Sequence, residues 1–175
     1  MKANTAASTL AITTKIVLPN DTNTLGNLFG GQLLAWMDVI ASVSAHRHSK
    51  RVVVTASVNN VSFQKPINHA SIVTLEAKVS RSFNSSMEVF VDVFVEDAVT
   101  GQREKCNEAI YTFVAVDQNG NPIQVPALIP ETDEEKARFD GALRRKQLAL
   151  ILAGKMKPNE ATELKKLFFE EEKKD

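Results

Sequence analysis

A single cysteine, Cys106, is all the thiol chemistry available to this chain, which excludes a disulfide within it and suggests a reducing cytoplasm. Cys106 sits in a strand-like run without metal-ligand spacing and reads as a structural thiol. Neither sign of charge prevails, with 21 basic and 21 acidic side chains. No global field therefore draws the chain to nucleic acid or to a membrane, and only a local basic pocket remains open. No window approaches about 20 uninterrupted apolar residues, so no membrane span is expected. Residues 1–9 are polar and lack the apolar stretch of a secretory leader. His46, His48 and His69 show no metal spacing, and no repeat or low-complexity tract occurs. Neither a metal nor a resident cofactor is expected.

What is present suits one domain with a substantial core: 175 residues, 43% of them hydrophobic. Residues 10–18 alternate through Leu10, Ile12, Ile16 and Leu18, a strand ended by the turn Pro19-Asn20-Asp21. From about Phe29 to His48 the period becomes helical, with Leu33, Leu34, Met37, Ile40, Ala41, Ser44 and Ala45 on one stripe. Strand patterns follow. Val52, Val54, Ala56 and Val58 alternate, then Val61 and Phe63; Val73, Leu75, Ala77 and Val79 form another row. Met87, Val89, Val91, Val93 and Val95 form the clearest strand, with Phe90 and Phe94 on its other face. Turn residues over 97–102 lead into a strand over 106–116. One long helix and successive antiparallel strands imply an α+β fold with a sheet wrapped around that helix. Apolar residues on both strand faces suggest that a second subunit covers one of them.

The tail differs in kind. Residues 126–130 read as an extended linker, and Thr132-Asp133-Glu134-Glu135 as a helix start with its cap and an acidic first turn. The basic cluster Arg144-Arg145-Lys146, the apolar run 148–152 and a charged helical segment over 158–175 follow. The expected organisation is a domain over residues 1–125 and a helical tail over 126–175.

The segment richest in chemical meaning is residues 23–38. A Gly-Gly pair opens the long helix, where free backbone N–H groups face a ligand. Asp38 lies well inside the same helix, too far along for a capping role. By itself such an acid is an ordinary helix side chain at the edge of the apolar stripe. Asn27, by itself, is a turn-former, and Gly30 and Gly31 serve tight helix–sheet packing as readily as ligand approach.

The pattern Pro19-x-Asp21-Thr22-Asn23-x-x-Gly26-Asn27-x-Phe29-Gly30-Gly31-x-Leu33-Leu34-x-x-Met37-Asp38 resembles the hotdog-fold acyl-CoA thioesterases, in their bacterial and brain-type acyl-CoA hydrolase branch. Val53-Val54-Thr55, Val61-x-Phe63-x-x-Pro66-Ile67 and Ser85-Ser86-Met87-Glu88-Val89 extend the likeness over residues 10–120. It implies hydrolysis of an acyl-CoA to free acid and CoA, with CoA entering only as part of substrate and product. It also implies subunits joined sheet edge to sheet edge as dimers, commonly three dimers to a hexamer. Asn27 matches the family's catalytic asparagine and Asp38 its catalytic aspartate; Asn23 is the alternative for the amide role.

On that resemblance Asp38 acts as general base for a water or as direct nucleophile, and Asn27 orients water or thioester. Backbone N–H groups at Gly30 and Gly31 hold the oxyanion. Thr55 offers a substrate-side hydroxyl, although strand propensity explains it nearly as well. Arg81, Ser85, Ser86, Arg144 and Arg145 are the candidates for CoA contact, each arginine being otherwise a solvated charge. Asp38 stands roughly 12 Å along the helix from Gly30, so the two serve one site most readily from different subunits. The competing readings are a catalytically silent acyl-CoA sensor and a thioesterase acting on acyl-carrier protein. No histidine stands where the related dehydratases place theirs, which counts against a dehydratase.

Overall fold

A computed structural model describes residues 1–97 and 100–169, which fall into two compact units, the first up to residue 129 and the second from residue 130. In the first unit a short strand β1 (Asn4–Thr5) precedes β2 (Ala11–Ile16), which ends in a 3-10 turn at Pro19–Asp21. The long helix α1 (Gly30–Ser49) follows, and then four long strands: β3 (Val52–Phe63), β4 (Ile72–Ser82), β5 (Ser86–Glu96) and β6 (Arg103–Val116). The five larger strands form one antiparallel sheet in the order β2-β4-β5-β6-β3, leaving β2 and β3 at its edges. Of the turn expected over 97–102, residues 98 and 99 lie outside the described residues.

The strand periodicity explains the core. Val73, Leu75, Ala77 and Val79 on β4 are fully buried, as are Met87, Val89, Val91 and Val93 on β5. Against this face α1 lays Leu33, Met37, Ile40, Ala41, Ser44, Ala45 and His48, spaced to form one stripe. Leu34, expected in that stripe, is only half-buried, and His48 joins it instead. The helix ends at Lys50, which adopts φ 55 and donates its N–H to the His46 carbonyl. Arg47 reaches from the last turn to the Leu10 carbonyl.

The opposite face of the sheet is mixed. Phe90 and Phe94 lie there half-buried, beneath the Lys105 ammonium and the Arg103 guanidinium. Lys105 also pairs with Asp92 at 2.6 Å and Glu108 at 2.5 Å.

Two expectations need correction. The row Val52, Val54, Ala56, Val58 does not share one face. The register slips between Thr55 and Ser57, so Thr55 stands opposite Phe113 and Val58 opposite Tyr111. A bulge absorbs one residue and reverses the alternation beyond it. The stretch 126–130 is also not a plain linker, because β7 (Leu128–Ile129) pairs in parallel with β1.

In the second unit α2 (Asp133–Leu152) begins with the expected cap. Thr132 accepts from the Glu135 N–H at 3.2 Å, and the Glu135 carboxylate accepts from the Thr132 N–H at 3.3 Å. α3 (Thr162–Phe169) is held at its start by Gln147, whose Oε1 accepts from Glu163 and Leu164 N–H groups. The charged end expected over 170–175 lies outside the described residues.

Candidate active site

The approach to α1 is a tied loop. Asn23 Oδ1 accepts from the N–H groups of Leu25 at 2.9 Å and Asn27 at 3.2 Å, an Asx turn that commits its oxygen to the backbone. Among the described residues its Nδ2 makes no hydrogen bond, so both amide protons stay available. Gly26 takes φ +75 within the turn, where a Cβ would be strained. The Leu28 N–H donates to the Ile67 carbonyl, and the His69 N–H to the Gly26 carbonyl. Asn27 bridges to Asn68 through its backbone. The loop is thus stitched to the segment after β3.

α1 starts with Phe29 extended before it and no side chain capping it. The first-turn N–H groups at Gly30 and Gly31 are therefore open to a ligand, at the positive end of the helix dipole. A cleft of about 350 Å³ adjoins Gly30, lined also by Asn23, Asn27, Phe63, Lys65 and Asn107 among others. An added Cβ on Gly30 would meet the Phe63 ring at 3.4 Å, an ordinary contact.

Asp38 and Thr55 are not among the residues that line this cleft. Two turns further along α1, Asp38 accepts a 2.8 Å hydrogen bond from the Thr55 hydroxyl. Thr55 reaches it because the register of β3 on β6 turns that side chain toward the helix. Beneath the same stretch of helix, Tyr111 donates its hydroxyl to the Leu34 carbonyl at 3.0 Å. Burial, and after it the charge of Asp38, pushes the Tyr111 phenol up to about 12, so it stays a proton donor.

Of the remaining expected residues, Arg81, Ser85 and Ser86 belong to the β4–β5 hairpin of the first unit and Arg144 and Arg145 to the second unit. Arg81 is half-buried near the end of β4, its guanidinium 5.7 Å from the centre of the Phe83 ring. Ser85 and Ser86 form the β4–β5 turn through their carbonyls, which accept from Ala115 and Phe83. Arg144 and Arg145 lie on α2 in the second unit, where Arg145 donates to the Arg138 carbonyl. Burial pushes the Cys106 thiol up to about 11, far from a reactive thiolate. Among the described residues no group of three His, Cys, Asp or Glu side chains is arranged to hold a metal, and no helix is long and apolar enough to cross a membrane.

Lys65, Asn107 and Tyr111 escape a reading of the sequence. Asn107 is buried, with Oδ1 accepting from the Gln64 N–H at 2.9 Å, and Lys65 pairs with Glu104. All three acquire their neighbours through the β3–β6 pairing or the helix–sheet contact, which no local pattern signals.

Known proteins share this architecture. The sequence model of the Thioesterase superfamily matches residues 25–102. An uncharacterized acyl-CoA thioester hydrolase of Bacillus subtilis, YkhA, is 47% identical over 134 residues, covering 77% of this chain and 78% of that one. The rat cytosolic acyl coenzyme A thioester hydrolase is 34% identical over 139 residues, and the match spans only 36% of that longer protein. Among solved structures, the acyl-CoA hydrolase of Staphylococcus aureus, in complex with butyryl-CoA, CoA and CoA disulfide, superposes with a TM-score of 0.81. It is 35% identical, over 87% of this chain and 94% of that one. An apo-hexameric acyl-CoA thioesterase gives 0.84 at 38% identity, over 87% and 98% of the two chains. The S. aureus enzyme has also been studied with alanine replacing an asparagine, an aspartate 15 positions later and a threonine 17 positions beyond that. By fold and by sequence, this chain belongs to the hotdog-fold thioesterases, in their acyl-CoA thioester hydrolase branch.

Proposed function

We propose that this protein hydrolyses acyl-CoA thioesters to the free acid and CoA, at sites shared between two subunits. The observation that carries the reading is a division of the machinery. The cleft at the start of α1 holds Asn23, Asn27 and Gly30, while Asp38 and Thr55 are paired two helical turns away. One subunit supplies the carbonyl-binding half and its partner the base. The exposed edge supports this. β3 is a 12-residue edge strand with Val52 66% and Val54 47% exposed, and Val39 and Val43 of α1 are exposed as well. A long apolar edge of this kind is stable in water once paired, and a two-fold axis along it gives two equivalent sites. Three such dimers form the hexamer expected here.

In the proposed reaction the Asp38 carboxylate takes a proton from a water as its oxygen attacks the thioester carbonyl carbon. The oxyanion is held by the N–H groups at Gly30 and Gly31 and by an asparagine amide. Its collapse breaks the C–S bond, and the proton on Asp38 passes to the departing CoA sulfur. Asn23 supplies the amide. Its oxygen is committed to the turn and its NH2 is free, and Asn23, Asp38 and Thr55 stand 15 and 17 residues apart, the spacing of the three residues replaced in the S. aureus enzyme. Asn27 lines the same cleft beside it. CoA binding by Arg81, Ser85 and Ser86, and separately by Arg144 and Arg145, belongs to the same proposal, as does a cytoplasmic setting.

Complementation tests the shared site. Asn23→Ala and Asp38→Ala are each assayed for thiol release, then co-refolded in equal amounts. Random pairing predicts recovery of about a quarter of wild-type activity, since half the dimers carry one intact site of two. No recovery from two folded, inactive variants would place both residues in one subunit's site. Full activity in Asp38→Ala alone would remove the base.

A further inference from the structure

The structure assigns Tyr111 a positioning role in this hydrolysis: its hydroxyl holds the α1 backbone to the sheet one turn before Asp38. The inference rests on the reading of Asp38 as the base. In a helix the Leu34 carbonyl accepts the Asp38 N–H, four residues on. The Tyr111 hydroxyl reaches that same oxygen at 3.0 Å, so one carbonyl carries both the Asp38 backbone and the link to β6. Thr55 meanwhile holds the other end of the residue, its carboxylate, at 2.8 Å. Backbone and side chain of Asp38 are thus referred to two neighbouring strands.

The sheet makes the two restraints one unit. β6 places Phe113 opposite Thr55 and Tyr111 opposite Val58, and the two rings stack with centroids 6.2 Å apart. Thr55 pairs with Phe113, two residues along β6 from Tyr111, so Thr55 and Tyr111 lie on the same face, and the bulge beyond Thr55 brings Val58 onto it as well. A ring only 1% exposed would pack as well as phenylalanine, of which the chain has nine; this is its one tyrosine. A buried phenol needs a partner for its O–H, and this one finds it on the catalytic helix. Tyr111 touches no reacting atom in this arrangement and acts through Asp38.

The experiment compares steady-state hydrolysis by wild type, Asp38→Asn, Tyr111→Phe, Thr55→Val and the Tyr111→Phe/Thr55→Val double variant, with folding followed by circular dichroism and thermal melting. Tyr111→Phe keeps the ring and is expected to lower kcat about 5- to 20-fold with KM little changed, the mark of a displaced catalytic group. Its loss combined with that of Thr55→Val is expected to fall short of the product of the two, because both restrain one residue. An unchanged kcat in folded Tyr111→Phe overturns the inference, and so does a loss confined to KM or to melting temperature. If Asp38→Asn is inactive while Tyr111→Phe is normal, the inference alone fails. If Asp38→Asn keeps full activity, the catalytic reading fails first and takes the inference with it. A ring-fluorinated tyrosine incorporated at this single position needs no core substitution. Its fluorine resonance is expected to shift in Asp38→Asn and in Thr55→Val, and a resonance unmoved by both overturns the coupling.

Discussion

Thr55 on edge strand β3 donates its hydroxyl to the Asp38 carboxylate on α1, across 2.8 Å. An acid placed mid-helix by the sequence is thereby oriented by a side chain from the sheet. A carboxylate held by one donor keeps its other oxygen for a water.

Removing the hydroxyl while keeping the shape separates orientation from packing. Thr55→Val is expected to lower kcat about 10- to 100-fold, the scale of a lost hydrogen bond to a charged group. Thr55→Ser should retain most activity. Equal rates for wild type and Thr55→Val in a thiol-release assay would deny the bond any catalytic part.

Gly30 offers a test of close substrate approach. A Cβ there meets only the Phe63 ring at 3.4 Å, and alanine favours a helix over glycine by up to about 1 kcal/mol. Gly30→Ala should therefore melt no lower than wild type, yet lose at least about tenfold in kcat/KM if the thioester carbonyl lies against this backbone. Parallel loss of melting temperature and activity would point to a structural role only.

Asn23 and Asn27 are distinguishable by kinetics. Asn23→Ala removes the free amide and the Asx turn together, whereas Asn23→Asp keeps the turn acceptor and removes the donor. Both are expected to lose about 100-fold or more in kcat, as for loss of one oxyanion donor. Asn27→Ala should lose less. The reverse ranking would return the amide role to Asn27.

His48 makes stability fall with acidity. Its ring is buried, with Nε2 bonded to the Pro126 carbonyl at 2.8 Å and Nδ1 without a partner among the described residues. Burial lowers its pKa, and the Pro126 bond offsets this only in part. The unfolded chain, with an ordinary histidine near about 6.5, therefore binds a proton first as pH falls. The contribution is full above that value and is lost as pH drops from it toward the lower folded pKa. Melting temperatures measured between about pH 7.5 and 5 should decline, and the decline should be shallower in His48→Gln. Identical slopes would assign the acid sensitivity to other groups.

Several parts of this molecule are legible in one dimension. The spacing of Leu33, Met37, Ile40, Ala41, Ser44 and Ala45 announces α1, and the Val89–Val93 alternation announces β5, because burial against one face leaves that period in the residues. The capping box at Thr132 is equally local. Others are not. Alternation over 52–58 is read as one row, but the bulge at Ala56 turns Val58 onto the face that Thr55 already presents to Asp38, Tyr111's side of the sheet. A bulge leaves no reliable local mark, since it depends on what the partner strand requires.

The sequence alone determined the order of helix and strands, the uncapped glycine start of α1 and the acid placed beyond any capping position. Each follows from spacing along a single element. Only the tertiary structure decided that Asp38 meets Thr55, that Tyr111 grips the Leu34 carbonyl and that Asn23 commits its oxygen but not its NH2. The first two join residues 17 and 77 positions apart, through strand register and helix–sheet packing. Asn23's turn is short in span, but its open side was decided by a loop stitched to the segment after β3. Such pairings are set by which surfaces can be buried together, and that is a property of the folded chain.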